Sequence, residues 1–253
     1  DNWMWPRHTG DFSLFRVYSG PDGKPAEYAP ENIPLKPKHH LPVSLDGVQE
    51  NDFAMVFGYP GSTNRYLTSF GVDLAIEETN PARVKIRGKK LEIMKEGMDA
   101  DPAVRLAYAS KYARISNYWK YFIGQTKGLK DLDVYDKKVE IERQLSAWIY
   151  EKKSRTKEYG DPVTEIGKAY KDIEKYNLPF YYHIEAGFGV ELVSAGYKMS
   201  GLIEALKDED QEKTQKSIEK YKTASEHFFK DYNPAIDQRV LAAMATLLLQ
   251  DID

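Results

Sequence analysis

The sequence predicts an α+β chain, with a β-rich segment over residues 1–70 followed by a mainly α-helical region over 71–253. Three observations carry this reading. Short apolar runs bounded by turn residues fall in the first segment, the clearest being Phe12-Ser13-Leu14-Phe15-Arg16-Val17-Tyr18 before the turn Ser19-Gly20-Pro21-Asp22-Gly23. Composition shifts near Phe70, beyond which the chain is rich in Glu, Lys, Ala, Leu and Tyr. Four pairs, Asn80-Pro81, Asp101-Pro102, Asp161-Pro162 and Asn233-Pro234, each join a side chain able to cap a helix to a proline whose fixed φ suits the first helical position.

Taken in order, residues 1–12 (Asp1-Asn2-Trp3-Met4-Trp5-Pro6-Arg7-His8-Thr9-Gly10-Asp11-Phe12) read as a shaped loop. Pro6 removes a backbone donor and Gly10 loosens the chain, so neither a helix nor a regular strand is favoured. An acid, Asp11, thus stands where the loop meets the first strand. Pro21, Pro25, Pro30, Pro34 and Pro37 mark an extended surface connection. A second strand pair follows, Leu41-Pro42-Val43-Ser44-Leu45 and Phe53-Ala54-Met55-Val56-Phe57, separated by the acidic turn 46–52 and closed by Gly58-Tyr59-Pro60-Gly61.

In the helical region, apolar spacing places Leu106, Ala109, Tyr112 or Ala113, Ser116 and Trp119 or Lys120 in successive turns of an amphipathic helix that begins at Pro102 and is ended by Gly124 and Gly128. Further helices are expected over 131–159, 163–176, 183–199, 210–229 and 234–249. The last is apolar nearly all round and asks for burial on most faces.

Composition narrows the function. A formal charge of −3 with interleaved acids and bases gives no reason to expect nucleic acid or an anionic membrane as partner. Without cysteine there is no disulfide framework and no thiolate metal site. No apolar run reaches membrane-spanning length. The pairs His39-His40 and His183/Glu185 lack a third convergent ligand, so no metal or other cofactor is expected. Gly187-Phe188-Gly189 lacks the Lys-Ser/Thr of a phosphate loop. No serine has the glycine-flanked setting of an activated nucleophile, and His8 reads as a loop-shaping residue.

The wording of the first segment is more specific than its periodicity. An aspartate leading into an apolar strand, then a Leu-Pro strand, an acidic turn and an apolar strand ending in Gly-Tyr-Pro-Gly, is similar to part of a chymotrypsin-like β-barrel. The stretch 1–12, Lys36-Pro37-Lys38-His39 and Gly58-Tyr59-Pro60-Gly61 with Thr63-Asn64-Arg65-Tyr66 resembles the bacterial dipeptidyl-peptidases of types 7 and 11, serine peptidase family 46. The resemblance implies a partial chymotrypsin-like barrel over 1–70 and an incomplete helical domain over 71–253 that caps the cleft. It implies that Asp11 orients a catalytic histidine that, like the nucleophilic serine, lies outside this chain. It also implies that Asn2 and Trp3 anchor the free amino end of an oligopeptide substrate, where a turn cap and a core filler would be the ordinary alternative. Asn117 corresponds by position to a residue reaching from the helical domain to the substrate backbone; an ordinary satisfied amide is the other reading.

On this view the chain is an internal piece of a longer periplasmic or secreted exopeptidase, inactive alone, and a homodimer is among the expected assemblies of the parent. The competing class is a helical module that binds peptides or proteins without chemistry.

Overall fold

The structure, a computed structural model, describes residues 13–55, 58, 64–207 and 210–252. Contacts between residues separate a small unit, His8–Asn64, from a large one containing Arg65–Asp253.

In the small unit, β1 (Tyr18–Ser19) and β2 (Ile33–Pro34) pair antiparallel, with Tyr18 opposite Pro34 and Ser19 opposite Ile33. The expected turn forms: Gly23 adopts φ 77°, and its N–H donates to Gly20 O at 2.8 Å. The chymotrypsin-like barrel expected of this segment is not what the structure shows. Among the described residues the two-residue pair is the whole of the sheet, and β2 lies inside the proline-rich connection. The reason is one of partners. Alternating apolar residues favour a strand only where a neighbour takes up the backbone groups and covers one face, and a lone two-stranded hairpin is marginal in water. Leu41, Val43, Leu45 and Phe53 are all more than four-fifths exposed, so nothing rewards the extended backbone their pattern suggests. The protein described is therefore predominantly helical.

The large unit contains α1 (Ser69–Leu74), α2 (Asn80–Ala100), α3 (Pro102–Asp131), α4 (Val134–Tyr150), α5 (Lys153–Tyr159), α6 (Pro162–Tyr182), α7 (Glu191–Lys198), α8 (Ser200–Ala205), α9 (Gln211–Lys230) and α10 (Pro234–Asp251). Asp101, Asp161 and Asn233 cap as expected: Asp101 Oδ1 accepts from Ala103 N at 2.8 Å, Asp161 Oδ1 from Thr164 N at 3.4 Å and Asn233 Oδ1 from Ile236 N at 3.1 Å.

Asn80-Pro81 does not start a helix. α1, the π-helical turn Ala75–Thr79 and α2 run on without a break, and the Asn80 amide donates sideways to Gln125 at 3.0 Å and Thr126 at 3.1 Å on α3. The widened π-helical turn lies just where the Pro81 ring would crowd the preceding turn of a regular helix.

Elsewhere packing overrides local signals. α3 passes through Gly124 and Gly128 to Asp131; each glycine costs about 1 kcal/mol, offset in part by the Asn80 contacts to Gln125 and Thr126 between them. α6 passes Pro179 because Leu178, Tyr182 and Ala186 all contribute to the core. The single helix expected over 131–159 is instead α4 and α5; at the break the Trp148 carbonyl accepts from Arg155 at 2.9 Å and the Ile149 carbonyl from Thr156 at 3.2 Å.

α2 and α3 form an antiparallel hairpin closed by Asp101 alone, and α10 packs across α2. Ala82, Ile86, Ile93 and Met94 of α2 meet Tyr108, Tyr182, Val190, Ile236, Val240 and Met244 in one core. The buried face of α3 is that of Val104, Tyr108, Ile115 and Phe122; of the expected residues Tyr112 packs against the same core and Trp119 reaches α2, whereas Leu106 is 83% exposed. α10 buries one face, while Leu249 stays 80% exposed, so its near-uniform apolarity is not matched by burial all round. Gly97 permits the close crossing: a Cβ there would lie 2.6 Å from Ile236 Cδ1.

Ile86, fully buried at the centre of this core, gives a direct test. Ile86→Ala in the intact polypeptide is expected to lower stability by about 2–5 kcal/mol, and Leu249→Ala by less than about 0.5 kcal/mol, as measured by urea unfolding.

Candidate functional site

The side chains that carry charge into the interior lie on α2. Arg83, Arg87 and Lys90 recur at i, i+4 and i+7, so the helix aligns three cations along one stripe. Their anion is Glu185, held inward by the π-helical turn His183–Gly187 that follows α6. Arg87 Nη2 donates to Glu185 at 2.9 Å and Arg83 Nε approaches it at 3.4 Å, with Glu185 only 8% exposed.

Both guanidiniums lie on aromatic faces. Arg83 Cζ is 4.6 Å from the Phe122 ring centre and 4.3 Å from that of Tyr181, and Arg87 Cζ is 5.4 Å from Tyr118. Trp119 Nε1 donates to the Val84 carbonyl at 3.1 Å, an approach that Gly88 leaves room for.

Lys90 continues the stripe into a polar cluster. Its Nζ donates to Gly189 O at 2.6 Å, and burial holds its pKa below the usual lysine value despite the opposing pull of Glu185. Asp237 of α10 accepts from Glu191 N at 2.8 Å and Leu192 N at 3.0 Å, capping α7 from another helix. Lys111 pairs with Glu191 at 2.5 Å. Burial first, then the Glu191 carboxylate, pushes the Tyr108 phenol above the ordinary tyrosine range.

Beside this cluster a cavity of about 750 Å³ opens between α2, α3, α7, α9 and α10. Met94, Ile115, Met199, Phe228 and Phe229 supply its apolar walls, and Arg114 and Lys198 also line it. Ser194 and Ser225 line it too, but no histidine among the described residues does, so neither hydroxyl has a described imidazole base there.

Of the residues singled out in the sequence, Asp11, Asn2 and Trp3 lie outside the described residues. Asn117 sits in the middle of α3, half-buried, three residues beyond Arg114 and next to Tyr118, and it does not line the cavity. His39 and His40 stack on each other at 6.3 Å in an exposed stretch. His183 meets the ring of Phe188 edge-on at 5.0 Å, while Glu185 is engaged by the arginines. Among the described residues no three such side chains converge as metal ligands. The reading of the sequence missed the stripe 83/87/90 and its carboxylate. The helical spacing of the three cations was the available signal; Glu185 was visible only as half of a ligand pair.

The family to which such a chain belongs is defined by comparison. The model of the peptidase S46 family matches residues 1–253, and the chain belongs to that family. It is 44% identical over 252 residues to dipeptidyl-peptidase 7 of Porphyromonas gingivalis, covering 100% of this chain and 34% of that protein. It is 41% identical over 248 residues to the Asp/Glu-specific dipeptidyl-peptidase of Flavobacterium psychrophilum, covering 98% and 35%. The crystal structure of Porphyromonas endodontalis DPP11 in complex with the dipeptide Arg-Asp superposes with a TM-score of 0.69 at 31% identity, covering 100% of this chain and 36% of that one. The chain thus spans about a third of the length of the curated relatives it matches.

The buried phenol of Tyr108 predicts a pH dependence. A folded-state pKa above the unfolded value of about 10 means that its contribution is fully present below that pH and is lost as pH rises through the folded value. Tyr182, raised by burial and by its hydrogen bond to Asp251, acts with the same sign. In the intact polypeptide, Tyr108→Phe is expected to flatten the fall of stability above about pH 10, followed by urea unfolding at stepped pH.

Proposed function

We propose that this chain is part of a serine-type exopeptidase that hydrolyses oligopeptides so as to release dipeptides from a free amino end. The observation that carries the reading is the 44% identity, over the full length of the chain, to a protein named dipeptidyl-peptidase 7. The motif of residues 1–12 supports it by its residue types: an aspartate before an apolar run, with an amide and two indoles ahead of it.

In the proposed mechanism a serine elsewhere in the polypeptide attacks the second peptide bond and a histidine elsewhere takes its proton. Asp11 accepts a hydrogen bond from that imidazole, fixing its tautomer and stabilising the cation that forms. Asn2 supplies an amide oxygen to the substrate's ammonium group and Trp3 an apolar wall, so that the distance from the amino end to the scissile bond measures two residues. Asn117 contacts the substrate backbone from the helical side, and the helical unit closes the cleft and excludes longer amino-terminal extensions. A periplasmic or secreted location and a homodimeric parent belong to the same proposal.

The test is dipeptide release by the intact polypeptide from matched peptides with free and acetylated amino ends. Cleavage of the free peptides alone is the expected result; cleavage of both, or of neither by a folded protein, would overturn it, the latter in favour of a non-catalytic peptide-binding module. In that assay Asp11→Asn is expected to lower kcat about 10⁴-fold, the magnitude seen when a triad aspartate is replaced. Asn2→Ala should instead raise KM about tenfold with less effect on kcat, as lost ground-state binding requires.

A further inference from the structure

We propose that Glu185 is a positioning residue for substrate, acting through a clamp of guanidiniums and rings that fixes the turn of α3 bearing Asn117. The proposal rests on the reading of Asn117 as a substrate contact. Residues 118, 119 and 122, the first two directly after Asn117 and the third within the next turn and a half, are all engaged by α2. Arg87 lies over Tyr118 and Phe122, Arg83 lies over Phe122, and the Trp119 indole reaches the Val84 carbonyl at 3.1 Å. Both guanidiniums are in turn held by one carboxylate, Glu185, at 2.9 and 3.4 Å. A single side chain therefore sets the place of two cations, and the two cations set the rotation and axial position of the α3 turn.

Stability alone does not account for this arrangement. The neighbouring core solves the same helix contact with Ile86, Met94, Tyr108 and Ile115. Burying a carboxylate with two guanidiniums, where apolar residues of like volume would serve as well or better, contributes definition of position rather than net free energy. The carboxylate also stands on a π-helical turn, a costly irregularity that recurs at functional sites. The aromatic faces under the arginines make the contact directional, because a guanidinium is attracted to the ring face and not to its edge.

The experiment is a double-mutant cycle on the intact polypeptide, read as kcat and KM for dipeptide release. Glu185→Gln keeps the shape and removes the charge, and is expected to raise KM about three- to tenfold with kcat changed less than about twofold. In the Asn117→Ala background the same substitution should change kcat/KM by less than about twofold, since its effect passes through Asn117. Because removal of a buried charge can unfold the protein, Tyr118 gives a second arm: it is 49% exposed, so its substitution is tolerated. Tyr118→Leu removes the ring face and should reproduce the rise in KM, while Tyr118→Phe, which keeps the face, should restore KM to the wild-type value.

Equal effects of Glu185→Gln with and without Asn117, or no effect of Tyr118→Leu on KM, would overturn the clamp while leaving the peptidase reading intact. An Asn117→Ala variant with unchanged kcat/KM would do the same. Absence of dipeptide release by the wild type would remove the functional reading itself, before any variant is made, and the clamp with it.

Discussion

The closeness of α2 to its neighbours is the constraint on which the helical unit rests. At Gly88 a Cβ would lie 3.2 Å from the Trp119 indole nitrogen, and at Gly97 it would lie 2.6 Å from Ile236. The two glycines sit nine residues apart on one helix, one admitting α3 and the other α10. Between them Leu91, Ile93 and Met94 are buried almost completely. Tight packing of this kind transmits displacement, because a densely filled interior has no slack into which a moved side chain can relax.

Polar groups inside the unit follow the same economy of partners. Asp237 leaves its own helix to cap α7, Glu142 accepts from both the N–H and the hydroxyl of Ser69 at 2.6 Å, and Asn80 bridges to α3. Each of these buried or half-buried side chains is therefore matched to a partner on a different helix. Such cross-helix bonds define register where apolar contacts would tolerate sliding. Gly189 belongs to this pattern too: its carbonyl accepts from Lys90 of α2 at 2.6 Å, at a position where a Cβ would fall 1.9 Å from the Glu185 carbonyl oxygen.

How far the sequence could be read depended on whether a signal was local. Asp101, Asp161 and Asn233 act within two or three residues of themselves, and their capping was legible. Asn80-Pro81 carries the same letters, but its meaning is set by Gln125 and Thr126, far along the chain. The β signals failed for a related reason: Leu41, Val43 and Phe53 have the alternation of a strand, yet a strand is a property of two segments and among the described residues these find no second one. At the candidate site, Asn117 could be placed on a helix from its surroundings. Arg83, Arg87 and Glu185 could not be joined, because they belong to elements about a hundred residues apart. The motif around Asn2, Trp3 and Asp11 was legible as to family alone, and through its wording rather than any periodicity; these residues lie outside the described ones.

The single-residue connection at Asp101 has a kinetic meaning. Joining α2 to α3 through one capped residue leaves almost no loop to close, so the entropy lost in bringing them together is close to its minimum. The hairpin is thereby built from contacts between consecutive helices, whereas α10 reaches α2 only across more than a hundred intervening residues. Our hypothesis is that order spreads outward from Asp101, with α10 docking onto a hairpin already formed. Pulse-labelled hydrogen exchange during refolding would show amides on both sides of residue 101 protected first; earlier protection of α10 would refute this sequence of events.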